Sequence, residues 1–259
     1  MADTLHRPPA AGPAVRFGQL LGRLVLAGVV AGVLTGGYQL LVTERAIRAA
    51  LDIERARAAA AGSAPDDGEL FGRGTQLLGG VLGTLIAGVV LAVVFTFVYG
   101  LLRHRLPGRS DFARVTLLAA IGFGIVALLP AVKIPANPPA VGGPATVGTR
   151  TGIYGAVLLA GIVTAMLVVA LVNLLRSREA STAGTTTAAV ALTAVLLTLI
   201  LVLVPDNPDT IAADVPAAVV WNFRLASLGQ LAVLWTALGL AGGPARAAAS
   251  PPCRCRVRE

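Results

Sequence analysis

Six apolar runs separated by short polar breaks dominate the chain: Leu20–Val42, Gln76–Leu102, Val115–Val132, Ile153–Leu175, Thr185–Val204 and Pro216–Leu240. Each approaches the ~20 residues that an α-helix needs to cross a hydrocarbon core of ~30 Å. The pattern predicts an all-α polytopic membrane protein with about six transmembrane helices arranged as hairpins. Five is the alternative count, because the fifth run is short and the sixth carries Arg224. An amino-terminal arm (1–19), a single transmembrane domain (20–241) and a basic tail (242–259) follow from the same pattern.

The breaks are more informative than the runs. Between the third and fourth lies PAVKIPANPPAVGGPATVGTR, Pro130–Arg150, in which Pro135, Pro138, Pro139 and Pro144 crowd too closely for helix to resume, since proline lacks the amide donor and clashes with the preceding turn. Nothing from Pro130 to Arg150 is expected to form regular helix; an ordered irregular loop, 133–151, is expected instead. A second break, PDNPDTIAADVP, occupies 205–216, with Asp214 as a candidate cap for the last helix. Pro135-Ala-Asn137-Pro138 and Pro205-Asp-Asn207-Pro208 echo one another. Asn-Pro turns alone account for the echo; a construction from hairpins that share one vestibule also does. The first break, 43–75, begins with ERAIRAALDIERARAAA, whose apolar residues recur at helical spacing and predict an amphipathic helix at the membrane surface.

Gly28, Gly32 and Gly36 share one face of the first run, where another helix can approach closely, with packing inside the chain the default over a dimer interface. Phe95, Phe97 and Tyr99, and Trp221 and Trp235 near the two ends of the sixth run, suit the membrane interface.

Composition agrees with this picture. Apolar residues make up 56% and charged residues 13% of the chain, with a mean hydropathy of +0.79, outside the range of soluble domains. The net charge of +8 points to membrane orientation rather than nucleic acid, because the arginines lie between apolar runs. Placing both termini in the cytoplasm puts 13 of the 21 basic residues inside, and an even number of spans fits. The first, central and last breaks then face outside, and the bilayer of the cell membrane is the primary partner. A long apolar first run argues against a cleaved signal peptide.

Enzyme chemistry has no foothold: there is no P-loop, GxSxG, HExxH or CxxC pair, and the two histidines are His6 and His104. Cys253 and Cys255 offer too few ligands for a metal site. No cofactor is expected. Ionisable groups near the outer boundary are the better candidates, since charge within a bilayer is costly unless paired or used. Lys133 and Arg224 either snorkel to headgroups or pair with Asp206, Asp209 or Asp214 and hold the outer loops over a polar path. That path would be lined or gated by Lys133, Pro135, Asn137, Pro138, Asn207, Asn222 and Arg224. For a hard divalent cation, the weak candidate ligands are Glu44, Asp206, Asp209 and Asp214.

Three stretches carry a family resemblance. LLPAVKIPANPPAVGGPATVGTRTGIY (Leu128–Tyr154), VPAAVVWNFRLASLGQLAVLWTALGL (Val215–Leu240) and, more weakly, Thr43–Gly100 together resemble the CbtA family, described as membrane subunits of cobalt transporters. The resemblance implies a permease subunit admitting Co2+ for cobalamin synthesis. It further implies a small CbtB-like partner whose histidines supply imidazole ligands. A non-transporting scaffold or assembly subunit, or a permease for another small solute, is the alternative.

Overall fold

The computed structural model describes residues 17–62, 72–108, 110–139 and 141–243. His6, Asp66, Asp67, Glu69, Cys253 and Cys255 lie outside the described residues. Within them all regular structure is helical: α1 (Phe17–Tyr38), α2 (Glu44–Ala60), α3 (Arg73–Leu102), α4 (Asp111–Gly122), α5 (Leu129–Lys133), α6 (Val147–Ser177), α7 (Thr182–Leu203) and α8 (Ala217–Ala241). π-helical turns at Gln39–Thr43 and Phe123–Leu128 join α1 to α2 and α4 to α5. Six helical segments are long and apolar enough to cross a membrane, where every backbone amide must find its partner within the segment.

Three helix ends have a visible local cause. The Ser110 and Ser181 hydroxyls accept from the Ala113 and Gly184 amides and cap α4 and α7. Helix α6 closes with a reciprocal pair of bonds, Ala180 N–H to Leu175 O at 3.0 Å and Glu179 N–H to Arg176 O at 3.0 Å. Glu179 takes the left-handed position there, φ 56°.

Two packing units result. In the larger, α1, α3, α4 and α8 bury Leu24, Ala27, Ala31, Ala92, Phe95, Val115, Leu118, Leu234, Trp235 and Leu238. Glycines bring α1 and α3 to backbone contact: a Cβ on Gly28 would lie 2.5 Å from the Gly88 carbonyl oxygen, and one on Gly32 2.7 Å from Leu85 Cα. The glycine face of α1 is therefore used inside the chain. In the smaller unit, the α6–α7 hairpin meets α5 through Leu129, Ile153, Val157 and Ile200.

Four expectations are corrected. The amphipathic segment is helical over Glu44–Ala60 but does not start afresh; it continues α1 through the π turn, giving 44 uninterrupted helical residues, Phe17–Ala60, because nothing between Val42 and Ala60 breaks a helix. Among the described residues, the Pro130–Arg150 stretch is irregular only over 134–139 and 141–143. Pro130 sits in the first turn of α5, where a missing amide is tolerated, and the Tyr154 hydroxyl donates to the Val126 carbonyl, the acceptor four residues before that proline, at 3.2 Å. Pro144 opens a 3₁₀ turn that leads into α6. Of the interface aromatics, Phe95, Tyr99 and Trp235 are core residues, with Phe95 and Trp235 edge to face at 6.5 Å and Trp235 seated over Gly122. Phe97 and Trp221 are exposed. Asp214 does not cap α8, whose preceding residue is Pro216; it is engaged elsewhere, as described next.

Candidate functional site

The polar side chains that sequence spacing picks out gather at one end of the bundle, where the two Asn-Pro loops meet α2 and the start of α8. Asp209, in the second loop, is the hub. Its carboxylate is wholly inaccessible and accepts from Asn137 Nδ2 at 2.7 Å, Thr146 Oγ1 at 2.5 Å and Arg150 at 2.9 Å. All three donors belong to the first loop or the start of α6. The Asp209 amide donates to Asn207 Oδ1 at 3.0 Å, so the two asparagines of the sequence echo hold one residue in different ways, Asn137 by its carboxylate and Asn207 by its backbone amide. Gly142, at φ +93°, backs against it, and a Cβ there would stand 2.8 Å from Oδ2. Both the left-handed backbone and the space demand glycine.

Lys133, at the end of α5, is buried and donates to Asp206 Oδ1 at 2.5 Å and to the Leu201 carbonyl at 2.9 Å. Asp206 itself is exposed. Arg224 reaches the same loop from α8 and finds no aspartate: it donates to the Ala136 carbonyl and to Asn137 Oδ1, each at 3.3 Å. Pro138 is fully buried and Pro135 half-buried beneath these bonds. Asn222 stands apart, in a groove with Tyr38 and Arg45 between the α1–α2 junction and α8.

The remaining candidate carboxylates join helices. Glu44 is buried, with Arg73 of α3 at 2.6 Å and Arg48 at 2.8 Å. Asp214 receives a two-point contact from Arg57 of α2, Nε to Oδ2 at 2.6 Å and Nη2 to Oδ1 at 2.7 Å. That hydrogen-bonded guanidinium holds the Asp214 carboxyl below its ordinary 3.8. With a depressed folded-state value, the pair's contribution is present above that ordinary value and is lost as pH falls through the lower one. Protection of the α2 amides against hydrogen exchange is therefore expected to fall below about pH 4, by a small amount at this exposed pair. An Asp214→Asn variant should show no such step.

Spacing alone missed one cluster. At the first π turn Thr43 Oγ1 donates to Gln230 Oε1 at 2.8 Å, and Gln230 Nε2 donates to Gln39 Oε1 at 3.3 Å. This chain of polar contacts ties α1 to α8 at the place where the helix widens. Neither Gln39 nor Thr146 and Arg150 stood out in the sequence, since polar residues at the edges of apolar runs are common.

Glu44, Asp206, Asp209 and Asp214 are thus each paired with a cation, and no three histidine, cysteine, aspartate or glutamate side chains gather among the described residues. Chemically the arrangement is a lock: two ion pairs, each with one buried member, fasten two loops over one end of the helices.

Six helices long and apolar enough to span a bilayer define a polytopic, membrane-embedded protein. Residues 17–246 match the family described as probable cobalt transporter subunit (CbtA). The chain belongs to the CbtA family. Being a subunit by that description, it works with at least one partner. No curated protein and no solved structure matches it.

Proposed function

We propose that this chain is the permease subunit that admits Co2+ across the cell membrane for cobalamin synthesis, with a path beneath the two Asn-Pro loops. A small, histidine-bearing CbtB-like subunit supplies the metal ligands. Family membership supports cobalt as the transported ion. The observation that carries the division of labour is the pairing of all four candidate carboxylates with cations and the absence of any three-ligand cluster among the described residues. Cobalt sites usually include imidazole, which in this reading comes from the partner. Opening the path requires the Lys133–Asp206 and Asp209 contacts to part. The arginine distribution supports a reading with this end outside and both termini in the cytoplasm. A membrane potential of 100 mV supplies ~2.3 kcal/mol per charge, about 4.6 kcal/mol for a divalent ion.

A second reading, a scaffold that positions the metal-binding partner without conducting, draws on the same fully paired carboxylates. Cobalt uptake by cells carrying this chain, the partner, or both separates the two. The permease reading expects uptake to require this chain, and unchanged uptake on its deletion overturns it. Lys133→Gln and Arg224→Gln are each expected to reduce uptake on the order of tenfold, equivalent to ~1.4 kcal/mol, at normal abundance in the membrane. Undiminished uptake would reduce both residues to fastenings of the loops with no part in the path.

A further inference from the structure

The opposite end of the bundle holds a groove that the transport reading does not use. Helices α6 and α7 are joined by the tight Arg178–Ser181 turn, and between them runs a cavity of about 470 Å³ whose lining includes Arg176, Thr185, Thr186, Val190, Thr193 and Leu197. Two of its threonines satisfy themselves, Thr186 donating to Thr182 O at 2.9 Å and Thr193 to Ala189 O at 2.8 Å. Thr185 does not: it is 6% exposed, and its hydroxyl has no hydrogen-bond partner. A buried hydroxyl left unpaired in an apolar setting is costly and calls for an occupant. Arg176, at the mouth of the groove, forms no ion pair among the described residues; Glu179 of the turn meets it only through the backbone, its N–H donating to the Arg176 carbonyl.

We propose that this groove binds one anionic phospholipid. The phosphate meets the Arg176 guanidinium, a glycerol-ester carbonyl accepts from Thr185, and an acyl chain lies over Ala189, Val190 and Leu197. Three features favour a lipid over a partner helix. The charged mouth and the unpaired hydroxyl follow one another from the end of the helices inward, in the order of a headgroup and its ester. The floor beyond them is apolar. The segment after α3, on the same side in the proposed topology, carries Arg103 and Arg105, as suits a leaflet rich in anionic lipid. Arginine matches a phosphate by charge-assisted hydrogen bonds.

The test uses the purified full-length chain, delipidated in detergent and titrated with phosphatidylglycerol or phosphatidylcholine under native mass spectrometry. One phosphatidylglycerol is expected to be held about tenfold more tightly than phosphatidylcholine. Arg176→Gln should erase that preference, and the near-isosteric Thr185→Val should weaken retention of both lipids. Arg178→Gln, outside the groove lining, should change neither, and inorganic phosphate should not displace the bound lipid. Equal retention by wild type and both groove variants overturns the proposal. So does displacement by phosphate alone, or occupation of the groove by a co-purifying helix that cross-links to position 185.

Discussion

Replacing Asp209 with alanine is expected to lower the stability of the protein by about 3 kcal/mol. Removing one member of a buried ion pair typically costs 3–5 kcal/mol, because the other members lose a partner and stay desolvated. The lower figure applies because Arg150 remains 30% exposed and can rehydrate. Asn137 Nδ2 and the Thr146 hydroxyl also lose their acceptor, so the two loops should part. Thermal unfolding in detergent would show the loss, with increased hydrogen exchange confined at first to 134–150 and 204–216. Thr146→Val removes one donor and should cost only about 1 kcal/mol. A variant lacking the Asp209 carboxylate that melts with wild type would mean that the lock contributes nothing.

Gly88→Leu is the second large effect. A Cβ at Gly88 meets the Gly28 carbonyl and the Gly32 backbone, and one at Gly28 meets Ala92 Cβ and the Gly88 carbonyl, both at 2.5 Å. These obstacles are main-chain atoms for the most part, so no rotamer change relieves them and α1 must move away from α3. That movement separates the best-packed helix pair and draws Leu24, Ala27 and Ala31 from the core. The cost should reach at least ~3 kcal/mol, the upper part of the usual range for overpacking. Gly83→Leu is the control, because nothing lies within 4 Å of a Cβ there. Loss of monodisperse protein on size exclusion for Gly88→Leu alone is the expected outcome; equal behaviour of the two variants would contradict the α1–α3 contact.

These two predictions sit on opposite sides of what the sequence makes legible. Long apolar runs announce membrane helices, because hydrocarbon admits few alternatives, and the spacing of Gly28, Gly32 and Gly36 marked a close approach. The ends of the third and fourth runs were harder to read. Pro130 reads as a helix breaker by local rules, yet a π turn and the Tyr154 hydroxyl, bonded to the Val126 carbonyl 28 positions before it, let helix continue up to Lys133. The π turn at Gln39–Thr43 has no proline to announce it. Its polar partner, Gln230, lies 191 positions from Gln39.

The candidate site divides in the same way. Lys133, Asn137 and Asp209 were visible as polar groups in Asn-Pro breaks. The bonds from Thr146 and Arg150 to Asp209 join residues about 60 positions apart, and no spacing rule reaches that far. Arg224 reads as a partner for an aspartate, but its guanidinium is taken by a carbonyl and an amide oxygen. Phe95, Tyr99 and Trp235 show why aromatics near the ends of apolar runs mislead. Residues near the ends of apolar runs face another helix as readily as a headgroup, as the burial of these three shows.

Transport by the chain itself is the central claim. Purified protein, reconstituted with its histidine-bearing partner in vesicles that trap a cobalt-sensitive dye, can be given a potential of 100 mV, negative inside. The account predicts cobalt influx that rises with the potential and is reduced by Lys133→Gln. Influx no greater than in protein-free vesicles, with both proteins folded and assembled, would contradict it.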